Sequence, residues 1–90
     1  RSMAALEAAY DQSRFARKNY ELAARLQLGE ERKFELGSSN LIDVNIREIQ
    51  TADAARALLF AQAAYYRALA RYAAAVADPR PPIGTSGDRP

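Results

Sequence analysis

Apolar residues recur at helical spacing in two long stretches of this chain, separated by one short polar break. After the break, one line advancing in steps of three and four passes through Leu41, Val44, Glu48, Thr51, Ala55, Leu58, Gln62, Tyr65, Leu69, Tyr72 and Val76. A second line, one residue on, passes through Ile42, Asn45, Ile49, Ala52, Arg56, Leu59, Ala63, Tyr66, Ala70, Ala73 and Ala77. A third joins Ala54, Ala57, Ala61, Ala64, Ala68 and Ala75. Steps of this kind are the mark of helices that pack along their whole length. Before the break the chain is more polar and carries two staggered lines. Leu6, Tyr10, Tyr20 and Ala24 form one, and Phe15, Leu22, Leu26, Gly29 and Leu36 the other. The pattern predicts helices over about 3–36 and 41–77, each roughly 50 Å long at 1.5 Å per residue.

The break explains why the two helices do not run on as one. Gly37 follows Leu36 at the point where a closing residue in the left-handed conformation is sterically cheap only for glycine. Asn40 is a good N-cap for the second helix. Asp43, three residues later, is placed to reach back toward the cap's own amide and to sit at the positive end of the helix dipole. A turn confined to residues 37–40 makes the helices antiparallel. The expected fold is therefore all-α, a long coiled-coil hairpin over residues 1–78. Asp78-Pro79-Arg80-Pro81-Pro82 ends the second helix, and residues 79–90, rich in Pro, Gly and Ser, are expected to form a disordered tail. A hairpin needs one apolar seam per helix. Two seams predict neighbours on a second side, so the chain by itself is expected to self-associate, most simply as a dimer.

Composition removes most chemistry. There is no cysteine and no histidine, so the usual thiolate nucleophile, general base and soft metal ligands are missing. The net charge of +2 is evenly spread and no basic stripe stands out, which argues against a nucleic-acid partner. The acids at helical spacing (Glu7 and Asp11; Glu30, Glu31 and Glu35) lie among many arginines and read as a solvated face, and no catalytic residue, metal site or cofactor is expected. Asp43 with Arg47, and Glu21 with Arg25, have the spacing of intrahelical ion pairs. Tyr65, Tyr66 and Tyr72 follow the seams and read as packing residues. Gly29 costs about 1 kcal/mol relative to alanine inside a helix. It is either tolerated there or marks close approach of a neighbouring helix.

The residues around the break resemble the tip of the second periplasmic hairpin in the TolC-like outer-membrane efflux proteins. That family carries a pattern close to E-R-x-[FY]-x-x-G-x-x-[ST]-x-x-D-V, and Glu31, Arg32, Phe34, Gly37, Asp43 and Val44 occupy its positions. Asn40 stands where Ser or Thr is usual. The common continuation D-V-L-x-A-Q is replaced by Asp43-Val44-Asn45-Ile46-Arg47-Glu48, and Ala64-Tyr65-Tyr66-Arg67-Ala68-Leu69-Ala70 is similar to the family's run toward the end of the hairpin. The likeness covers roughly residues 16–77.

The resemblance implies a parent protein that is a homotrimer, with a β-barrel in the outer membrane and an α-helical barrel across the periplasm. Such a parent exports small molecules or metal ions by docking a periplasmic adaptor protein and an inner-membrane pump. This chain would be a carboxy-terminal piece of it, without the barrel strands or the family's other hairpin. Leu36, Gly37, Ser38 and Ser39 match the tip segment that the adaptor grips, with Asn40 and Asp43 capping the helix behind them. Asp43 also matches an aspartate that faces the pore constriction in some members. Those members carry a second acid three residues later, where this chain has Ile46. The alternative from the residues alone is a free-standing coiled-coil oligomerisation or adaptor module.

Overall fold

A computed structural model of the chain describes residues 2–77. It consists of α1, Ser2–Glu35, and α2, Leu41–Ala77, packed side by side as an antiparallel hairpin. The helices fall within a residue of the expected bounds, with Leu36 belonging to the turn. The expected tail, residues 79–90, lies outside the described residues.

The closed seam follows a strict three-four alternation on both helices. On α1 it takes Leu6, Ala9, Ser13, Ala16, Tyr20, Ala23, Gln27 and Glu30, all buried or half-buried. On α2 it takes Val44, Arg47, Thr51, Ala54, Leu58, Ala61, Tyr65, Ala68 and Tyr72. This differs from the seams expected from sequence in an informative way. Val44, Thr51, Leu58, Tyr65 and Tyr72 come from the first line, but their partners in the alternation are Arg47 and the small residues Ala54, Ala61 and Ala68. The rest of the first line turns toward the flanks. Every member of the second α2 line, from Ile42 to Ala77, is exposed, as are Phe15, Leu22, Leu26 and Gly29 on α1 and Leu36 in the turn.

The physical reason is axis separation. Small side chains let two helices approach closely along their length, and close approach buries backbone and Cβ surface that bulkier residues would hold apart. The centre of the seam is Ala16 against Leu58 and Ala61, with Tyr20 packed beside them. Thr51 stands at the next level toward the turn. Its hydroxyl is 3.1 Å from the Ala23 carbonyl across the seam and 3.0 Å from the Arg47 carbonyl on its own helix. Toward the open end, the rings of Tyr10 and Tyr65 meet at 5.6 Å, and Tyr66 leans on Tyr65 at 5.4 Å. The tyrosines expected to pack do so at positions 65 and 72, whereas Tyr66 is largely exposed. Most large apolar side chains therefore decorate the outside of the hairpin rather than its inside.

Candidate functional site

The tip is built from the end of α1 upward. Gly37 adopts φ +84°, the left-handed conformation the sequence calls for. Its N–H donates to the Phe34 carbonyl at 3.0 Å, and the Ser38 N–H donates to the Lys33 carbonyl at 2.7 Å. This pair of bonds is the Schellman closure, which satisfies the last carbonyls of α1. Asn40 then opens α2. Its side-chain Oδ1 accepts the Asp43 N–H at 2.9 Å, and its own carbonyl accepts the Val44 N–H at 3.2 Å as the first helical bond. The return arm of the expected capping box is different. The Asp43 carboxylate accepts a bond from the Asn40 side-chain Nδ2 at 3.3 Å, so cap and acid are joined side chain to side chain.

Behind the turn lies a group that the sequence reading placed in the solvated face. Glu30 is 8% exposed, the one buried charged residue among those described. Ser39 of the turn donates its hydroxyl to Glu30 Oε2. Lys33 Nζ lies 3.5 Å and Arg47 Nε 3.8 Å from the other oxygen, Oε1. The Ser39 bond holds the Glu30 carboxyl below the usual glutamate value. Burial pushes the other way, and the charges of Lys33 and Arg47 add to the lowering. The ion pairs expected from spacing are not made: Arg47 turns to Glu30 and to Gln50 at 3.1 Å, Asp43 is held by Asn40, and Glu21 and Arg25 do not pair. On α2 the intrahelical pair is Asp53 with Arg56. A buried counter-charge outcompetes a solvated neighbour because the nearby medium screens it less.

The expected docking residues separate into two sets. Leu36, Gly37 and Ser38 are exposed, and Leu36 at 75% is the most exposed large apolar residue described. Leu41 and Ile42 continue an aliphatic crown on the α2 side, Ile42 at 70%. Ser39 is different, half-buried with its hydroxyl turned inward to Glu30. It holds the turn from within. Asp43 is exposed beside the cap. Asn45, which fell on an apolar line, is exposed as well. An open groove of about 530 Å³ runs along α1 into the tip, lined by Leu28, Gly29, Glu31, Arg32, Lys33, Glu35 and Leu36. A Cβ on Gly29 would meet nothing within 4 Å, so no packing inside the hairpin requires that glycine.

One signal for Glu30 was present in the sequence. It continues the three-four alternation of Tyr20, Ala23 and Gln27, and a residue on that line faces the partner helix whatever its charge. Among the described residues no three His, Cys, Asp or Glu side chains are grouped to hold a metal ion. Neither described helix is long and apolar enough to cross a membrane. What the tip offers is an aliphatic, sterically open end on a helical hairpin. No protein-family model, curated protein or solved structure matches the chain.

Proposed function

We propose that this chain is the hairpin of a TolC-like outer-membrane efflux channel, whose tip docks the periplasmic adaptor of a tripartite pump and helps to close the pore. The observation that carries the reading is the tip itself. A motif similar to the family's falls on a closed turn that presents Leu36, Gly37 and Ser38, flanked by Leu41 and Ile42, to the outside. Exposed aliphatic groups on a preorganised turn suit a helical-tip partner, since little order is lost on contact. The open space around Gly37 lets a partner backbone come close. In this reading the outer stripes of both helices are covered by neighbouring hairpins of the trimer, and Asp43 faces the pore. The exposed stripes also fit a free-standing coiled-coil module, which needs lateral partners but no use for the tip.

The test is made in cells carrying the full-length parent. Ser38→Trp adds bulk at an exposed position free of left-handed strain, and is expected to weaken adaptor binding and export while the trimer still forms. Gly37→Trp should do the same. Asp43→Asn keeps the Asn40 cap on the backbone and removes one charge, so it should alter conductance or its cation dependence rather than adaptor binding. Unchanged export in both tip variants would sink the docking role and leave the coiled-coil module.

A further inference from the structure

The Glu30 carboxylate touches all three parts of the tip, and each of its oxygens is engaged. Oε2 receives the turn through Ser39, while Oε1 faces Lys33 of α1 and Arg47 of α2. We propose that Glu30 is a latch that holds the turn onto the hairpin, and that removing its charge frees Ser39 and opens the turn while the alanine seam behind it stays closed. This does not rest on the efflux reading, because it concerns only how the tip is fastened.

Three observations carry it. Ser39 is the turn's side-chain hook on α1; the remaining tip bonds are backbone closures between neighbours in sequence or the Asn40–Asp43 cap on α2. Glu30 is buried, so an open latch leaves an acid facing Arg47 with one acceptor unfilled. The seam from Gln27 to Leu6 makes no use of Glu30, so it need not open when the latch does. The groups facing Glu30 from each packed element are Lys33 on α1, Arg47 on α2 and the Ser39 hydroxyl of the turn. Gln27, one turn back, donates to Glu31 at 2.9 Å instead. Glu30 is the acid of this cluster, so a proton added on acidification falls on its carboxyl, which Ser39 already holds below the usual value. A protonated carboxyl keeps one plain acceptor oxygen and cannot serve hydroxyl and cations equally well.

Amide hydrogen exchange on the full chain tests this. The Gly37 and Ser38 amides report the turn, and amides around Ala16 and Leu58 report the seam. Glu30→Gln at neutral pH should lower protection at the turn by about tenfold, the scale of losing one charge-assisted hydrogen bond, and leave the seam amides unchanged. Ser39→Ala should produce the same local loss without touching Arg47. Acidifying the unmodified chain below about pH 4.5 should open the turn before the seam, and Glu30→Gln should lack that step. Unchanged turn protection in both variants overturns the proposal. So does an equal loss along the whole hairpin, which would make Glu30 an ordinary contributor to stability. If Glu30→Gln fails to fold, the acid series on the unmodified chain decides alone: no local step, no latch.

Discussion

Leu58 and Leu59 are adjacent, chemically identical, and on opposite sides of the packing. Leu58 is 9% exposed at the centre of the seam, against Ala16 and Ala61, while Leu59 is 64% exposed on the outer face. Replacing each by alanine isolates burial, because the two residues have nearly the same helix propensity. For Leu58→Ala, the lost transfer term is joined by a cavity term. The neighbours are mostly short side chains that cannot swing in to refill the space, which places the cost near about 3 kcal/mol. For Leu59→Ala, only about a third of the side chain is shielded, so the loss should be about 0.5 kcal/mol. Urea denaturation followed by circular dichroism reads both values, at a low chain concentration and again at a hundredfold higher one. In the dilute sample the two variants should differ by about 2 kcal/mol or more. If the outer face is covered by other copies, the Leu59→Ala deficit should grow with concentration and the Leu58→Ala deficit should not. Equal losses in dilute solution would mean that the seam runs through the other line and that the packing described above is wrong.

Gly37→Ala should cost about 1 kcal/mol in the same assay, entirely from the left-handed backbone, since its Cβ would meet nothing within 4 Å. Gly29→Ala should move the other way, stabilising the dilute chain by up to about 1 kcal/mol because the helix gains propensity without a clash. If it also weakens self-association by sedimentation, a neighbouring helix uses that gap. Stability should fall in acid with a definite sign. The Glu30 carboxyl is lowered on folding, so its contribution is complete above about pH 4.5 and is lost as pH falls through the lower folded-state value. Denaturation midpoints from pH 7 to 2 should show this loss, and Glu30→Gln should flatten it.

The architecture was legible because its signals are local. The glycine stop, the asparagine start and the uninterrupted spacing between them depend on backbone sterics within a few residues, and Gly37 and Asn40 behave as those rules require. Which line forms the seam was not legible from hydrophobicity. Two apolar lines on α2 offered themselves as seams, yet alanine and tyrosine, with Leu6, Val44 and Leu58, close the hairpin while isoleucine, phenylalanine and most leucines face out. Apolar content ranks positions by their preference for leaving water, but close helix contact selects for shape, and the two criteria diverge when a helix is apolar on most sides. Glu30 was misplaced for a related reason. Its charge suggested a solvated face, whereas its position on the alternation sets its direction, and Ser39, Lys33 and Arg47 make that burial tolerable. At the same place the Ser39 hydroxyl is committed inward, a contact that no signal within the turn itself announced.

A seam of small, similar steps has a near-symmetry under sliding. Shifting α2 by seven residues along α1 would again set alanine at Ala54, Ala61 or Ala68 against alanine at Ala9, Ala16 or Ala23. Few contacts distinguish the true alignment from its neighbour: the Thr51 hydroxyl on the Ala23 carbonyl, the Tyr10–Tyr65 ring pair and the Glu30–Arg47 ion pair. A one-heptad slide displaces the helix ends by roughly 10 Å. A turn of five residues already closed at both ends by backbone and cap bonds has little slack for that. The phase of the two helices is thus set largely at the tip, and a chain cut between Ser38 and Ser39 should keep most of its buried surface while its alignment rests on those few contacts alone.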